Sequence, residues 1–146
     1  MKVPKIIAVV LMFALLLGTT SFASELNEEN EYGEPNLSRW VYTSSTSQNL
    51  TISSSGTATM TSNVTGYSDK ATKIVVYMYL QQYSSGAWRN VVTYRDEKAS
   101  WYSDVQHTYS TLAKGYNYRL RCIYYVYGPD AYHYDYYTLY TAEKSY

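Results

Sequence analysis

Two histidines, one cysteine and a scatter of carboxylates are the residues on which acid–base, nucleophilic or metal chemistry would have to rest. Nucleophilic catalysis needs a Ser or Cys beside a base that a third group orients. His107 and His133 stand in no Gly-x-Ser-x-Gly elbow or comparable context. Cys122 with a histidine would make a dyad, but the parity of its strand, argued below, turns the sulfur inward; the expected role is a small core residue. An intermolecular bridge or a reactive thiol is the alternative. Glycoside hydrolysis needs two carboxyl groups converging across a cleft. Asp96, Glu97, Asp104, Asp130 and Asp135 instead fall in or near expected turns or on outer faces, where they serve solubility. His133 and Asp135 lie two apart and on a strand would share one face, with His107 or Asp130 as a third ligand. Two ligands do not make a metal site. The expectation is no catalytic set, no metal and no cofactor. Three glycosylation sequons, at Asn36, Asn49 and Asn63, are chance matches in a Ser/Thr-rich chain.

Tyrosine is the residue type in excess. The chain has 20, every one of them beyond residue 23. Exposed tyrosines are rigid and amphipathic, and they give contact area at low entropic cost. They also stack on the C–H faces of sugar rings. Which tyrosines face outward depends on the strands that carry them.

Past Leu37 the sequence alternates with a period of two, rich in Thr, Tyr, Val and Ile, which is the strand signal. Strands are expected at Leu50–Ile52, at Ala58–Val64 ending on Gly66, and at Ile74–Leu80. Further strands follow at Trp88–Tyr94, Ala99–Tyr109, Tyr116–Tyr127 and Tyr132–Tyr140. Trp40–Ser45 opens the series, either alone or continuous with the Leu50 segment. Short strands at regular spacing with Gly and Ser turns point to an all-β sandwich or barrel. Leu112, Gly115 and Tyr118 have the spacing of a tyrosine corner, in which a phenol bonds back to the backbone where the chain crosses between sheets. This favours a single immunoglobulin-like β-sandwich of about seven to eight antiparallel strands. It also fixes parity. Tyr118, Leu120, Cys122, Tyr124 and Val126 point inward; Arg119, Arg121, Ile123, Tyr125 and Tyr127 point outward.

If the Ile74 and Tyr118 strands pair as strands C and F of such a sandwich, then Tyr77, Tyr79, Tyr125 and Tyr127 share one outer face. Arg119 and Arg121 flank it and supply donors. The last strand adds some of Tyr132, Tyr134, Tyr136, Tyr137 and Tyr140, in a register the sequence leaves open. These six residues, four tyrosines and two arginines, form the candidate binding surface. Cross-strand tyrosine pairing that stabilises a sheet without disulfides is the competing role.

The strings Arg39-Trp40, Gly56-Thr57-Ala58, Val64-Thr65-Gly66-Tyr67, Lys73-Ile74, Met78-Tyr79-Leu80-Gln81, Gly86-Ala87-Trp88 and Lys114-Gly115-Tyr116-Asn117-Tyr118-Arg119 carry a resemblance. The chain resembles the uncharacterised small secreted β-sandwich proteins of Gram-positive, Clostridia-type bacteria, over roughly Arg39 to Arg121. The resemblance implies fold and export, and no activity. Many such proteins carry a cysteine pair; here Met60 stands where one cysteine is expected. The C-terminal third departs from the pattern in its richness in tyrosine.

At the amino terminus, Lys2 and Lys5 precede an apolar run from Ile6 to Leu17, and Ser21-Phe22-Ala23 supplies small residues for cleavage. That is a secretory signal peptide, residues 1–23; the run is well short of the about 20 residues of a spanning helix. Residues 24–36 hold Glu25, Glu28, Glu29, Glu31 and Glu34 and no base, and are expected to be a disordered acidic spacer before a domain at 37–146. Without its signal peptide the chain has ten basic and 12 acidic residues. That balance gives no reason to expect nucleic acid or stable membrane insertion. The expectation is a secreted, extracellular, non-enzymatic binding module for a protein or glycan at a cell surface. An antagonistic, bacteriocin-like protein acting on competitor envelopes is the alternative, and a hydrolase a distant third.

Overall fold

The computed structural model describes residues 40–146. The expected signal peptide, the expected acidic spacer and the expected domain start at Leu37 lie outside the described residues. Eight strands follow in order: β1 Thr43–Ile52, β2 Ala58–Gly66, β3 Lys73–Ser84, β4 Ala87–Lys98, β5 Tyr102–Tyr109, β6 Asn117–Tyr127, β7 Tyr134–Tyr140 and β8 Lys144–Ser145. Among the described residues there is no helix. The strands form two antiparallel sheets, one ordered β1-β2-β5 and one ordered β4-β3-β6-β7, with β8 also paired to β6.

The inner faces of both sheets meet in one core, because period-two sequences place every second side chain on the same side. On β2 these are Ala58, Met60 and Val64; on β3 Ile74, Val76, Met78 and Leu80; on β6 Leu120, Cys122 and Val126, with Tyr118 and Tyr124 among them. Along β6 burial alternates without a break from Asn117 to Tyr127. Two phenols carried into this core are matched: Tyr124 Oη lies 3.0 Å from Ser62 Oγ, and Tyr137 Oη lies 2.7 Å from Thr46 Oγ1. Trp40 stacks on Tyr137 at 3.9 Å and Tyr137 on Tyr124 at 4.9 Å, closing the side where the first strand enters.

Trp40–Ser45 and the Leu50 segment lie in one region of chain, with β1 unbroken from Thr43 and bulged against β2 between Thr43 and Ser45. β4 runs on to Lys98, beyond the expected Tyr94. β5 begins at Tyr102 rather than at the expected Ala99, because the chain bends from Ala99 to Trp101 after β4. The β3–β4 hairpin turns on Ser85 and Gly86, both at positive φ (54° and 78°). Two such residues make the turn whose twist matches the flanking strands.

β8 is only two residues long and carries no strand signal. It exists because β7 leaves the edge of β6 and the chain returns to it: Thr141 N–H donates to Leu120 O, and Leu120 N–H donates to Thr141 Oγ1 at 3.0 Å. The threonine hydroxyl takes the place of a ladder carbonyl at the break.

Candidate functional site

The register of the five-stranded sheet decides what its outer face presents. β3 pairs β6 with Lys73 opposite Tyr127, Val75 opposite Tyr125, Tyr77 opposite Ile123 and Tyr79 opposite Arg121. β7 continues three of these rows: Tyr134 beside Tyr127, Tyr136 beside Tyr125 and Tyr140 beside Arg121. On the other side β4 places Glu97 by Val75, Arg95 by Tyr77 and Trp88 by Tyr83. All six expected surface residues therefore lie on one face, joined by Tyr134, Tyr136 and Tyr140. Tyr137, left open by the sequence, points the other way into the core, and Tyr132 stands clear of the sheet in the turn before β7.

The rings form a contacting layer. Tyr125 is its hub, with centroids 5.0 Å from Tyr136, 5.5 Å from Tyr134, 6.1 Å from Tyr77 and 6.3 Å from Tyr127. Tyr127 and Tyr134 lie 5.1 Å apart. Beneath them sits Val75, which shares the outward parity of Tyr77 and Tyr79 yet is only 3% exposed. The half-buried tyrosines of β3 and β6 thus roof an apolar side chain, while the more exposed rings are those of β7, such as Tyr136 at 55%. Burial is the first cause that raises the pKa of the Tyr125 and Tyr127 phenols, with neighbouring phenols adding to it.

Cations are threaded through the rings. Lys73 Nζ lies 4.1 Å from the Tyr127 centroid and 3.9 Å from Glu97. Arg95 donates from Nε to Tyr77 Oη at 3.1 Å and pairs with Glu97, whose pKa that bond lowers. Arg119 is held between Trp88 and Tyr140, at 4.2 and 4.4 Å. Its Nε donates to Gln81 Oε1, and Gln81 Nε2 donates to Asn90 Oδ1. Arg121 lies over Tyr79 at 5.5 Å. Its Nε is closed off from solvent and has no hydrogen-bond partner among the described residues.

The corner string has its own geometry. Tyr118 Oη donates to Ala113 O at 2.8 Å, with Gln82 Oε1 at 3.3 Å. Gly115 takes φ 83°, the left-handed turn that returns the chain into β6. Leu112 is buried in the core cluster.

Two carboxylates depart from the expected solvent-facing role. Asp135 has inward parity on β7 and is 8% exposed. It accepts the backbone N–H groups of Val41, Tyr42 and Thr43 at 3.1, 2.8 and 2.7 Å. It therefore shares no face with His133, which precedes β7 and bonds to Asp130. Asp96 also points inward, toward the margin where β4 meets β5, and lies 2.7 Å from His107 Nε2. The His107 ring stacks on Tyr94 at 4.1 Å. Cys122 is fully buried, and burial pushes its thiol pKa up to about 12. Among the described residues no group of three His, Cys, Asp or Glu side chains is placed to hold a metal ion, and no helix is long and apolar enough to cross a membrane.

Searches against family models, curated proteins and solved structures found no match to this chain.

Proposed function

We propose that the protein is a secreted, non-enzymatic binding module that contacts a protein or glycan at a cell surface through the outer face of its five-stranded sheet. Within this proposal the domain is an immunoglobulin-like β-sandwich. Its strand order β1-β2-β5 opposite β4-β3-β6-β7 supports that reading, corresponding to A-B-E facing C′-C-F-G. Export through the residue 1–23 signal peptide, and kinship with the small secreted sandwich proteins of Gram-positive bacteria, belong to the same proposal.

The observation that carries it is the aromatic layer itself. Roofing Val75 accounts for Tyr77, Tyr125 and Tyr127, but Tyr136 and Tyr140 remain 55% and 43% exposed at the layer's edge. Reinforcement of a sheet does not require rings in that position. Aromatic anchors beside guanidinium groups are the composition of interface hot spots.

The test is binding of the domain to a glycan array and to whole bacterial and epithelial cells, beside the double variant Tyr136→Ser/Tyr140→Ser. These two rings are exposed, so the variant keeps its fold. Saturable binding by the natural protein, weakened tenfold or more in the variant, supports the proposal. Equal binding by both proteins, or binding by neither, refutes it.

A further inference from the structure

The charges on the outer face of the five-stranded sheet do not follow those of the chain. The whole sequence is balanced, 12 basic against 12 acidic. The register nevertheless gathers Lys73, Arg95, Arg119 and Arg121 on this one face. Against them stand Glu97 and, at the far end beside Asn117, Glu143. Lys73 and Arg95 share Glu97. Arg121 has no carboxylate within 4 Å among the described residues, and its contact is the face of Tyr79.

A guanidinium in this state is a donor fork waiting for an acceptor. Its Nε is enclosed, so a ligand meets the two terminal nitrogens, which are neither enclosed nor hydrogen-bonded among the described residues. The fork geometry matches a carboxylate in a bidentate pair. Beside Arg121 on β7 lies exposed Tyr140, followed toward the other end of that strand by Tyr136 and Tyr134. The line from Tyr140 to Tyr134 is about 20 Å long at the usual rise per strand residue. A ligand that satisfies all of it carries acidic groups for Arg121 and flat C–H surfaces for a row of rings, repeated along an extended chain.

We infer that this face binds an acidic polysaccharide, with sugar rings stacked on Tyr134, Tyr136 and Tyr140 and a uronate carboxylate on Arg121. The inference rests on the binding-face proposal above and narrows it to one ligand class. An acidic peptide supplies the charge but no row of stacking rings, and a neutral glycan supplies the rings but leaves Arg121 unmatched.

The experiment measures retardation of the purified domain by polygalacturonate in native affinity gels at low salt. Fully methyl-esterified polygalacturonate, dextran and polyglutamate serve as comparison polymers. The variants are Arg121→Gln, Tyr136→Ser/Tyr140→Ser and, away from the face, Lys114→Gln, each checked by thermal unfolding. Expected is retardation by polygalacturonate that weakens with salt, and falls at least fivefold in Arg121→Gln and in the tyrosine variant but not in Lys114→Gln. Esterification should abolish it. Equal retardation by the esterified polymer or dextran overturns the acidic selection while leaving the face as a binding site. Stronger binding to polyglutamate overturns the sugar. Binding to polygalacturonate that survives in the tyrosine variant removes the face as well. Absence of retardation by polygalacturonate overturns the inference, and the cell-binding assay then decides the broader proposal separately.

Discussion

Asp135 offers the sharpest test of how this domain holds its first strand. Its carboxylate receives three consecutive N–H groups, from Val41, Tyr42 and Thr43, across more than 90 residues of sequence. Hydrogen bonds to a charged acceptor contribute about 1.5–3 kcal/mol each, but the entering segment can fray and recover water, so the three do not add in full. Asp135→Ala should therefore cost about 3–5 kcal/mol, less than the full sum of three such bonds. Asp135→Asn keeps one oxygen for Tyr42 and Thr43, yet turns an amide N–H toward that of Val41; about 1–3 kcal/mol is expected. A loss of about 3 kcal/mol lowers Tm by roughly 12 °C or more in a domain of this size. Trp40 stacks on Tyr137 beside the clamp and reports it directly. Urea unfolding followed by tryptophan fluorescence gives the global cost, and hydrogen exchange at residues 41–43 gives the local one. If both variants unfold within about 0.5 kcal/mol of the natural protein, and the three amides stay protected, the clamp is not what anchors β1 and the reasoning fails.

Three further outcomes are expected. Tyr118→Phe removes the bond to Ala113 O and should cost about 1 kcal/mol, read from the urea midpoint; an unchanged midpoint removes the corner from the account of stability. Val75→Ala should cost about 1–3 kcal/mol in the same measurement because the side chain is buried, whereas a value under about 0.5 kcal/mol would show that the rings do not cover it. The third concerns alkali. Burial raises the Cys122 thiol from 9.0 and the Tyr137 phenol from 10.0, both to about 12. The unfolded chain thus loses these protons first, so their contribution is complete below pH 9 and is lost as pH rises toward 12. Tm should fall steeply over that window and less steeply in Cys122→Ala. A native thiol that reacts freely with a disulfide reagent at about pH 8, below the ordinary thiol pKa, would contradict the burial argument.

Much of the architecture was legible because single strands carry their own parity. The alternation in Ala58–Gly66 and Asn117–Tyr127 marks core and surface residue by residue, and the Leu112, Gly115, Tyr118 spacing marks the start of β6. Facts that depend on two strands were not legible. Nothing local distinguishes Asp135 from a solvent-facing acid; its burial follows from the unpaired N–H groups of Val41 to Thr43, which need an acceptor. Val75 has the outward parity of Tyr77 and Tyr79, and only the register that sets Tyr125 opposite it explains its burial. The four cations come from three strands, so a net charge summed along the chain conceals their grouping. β8 depends on the Thr141 bridge rather than on any propensity of Lys144 and Ser145.

The roof over Val75 has a consequence for how the face meets a partner. Tyr77, Tyr125 and Tyr127 are wedged by one another and by the methyl groups beneath, so their rotamers are settled when the chain folds. A surface assembled this way surrenders little further side-chain freedom on association. It also cannot remodel itself around unlike shapes as a methionine-rich or loop-built surface does. Under the proposed binding role its range of partners is narrow, and changes of affinity among them should appear in the lifetime of the complex more than in the rate of encounter.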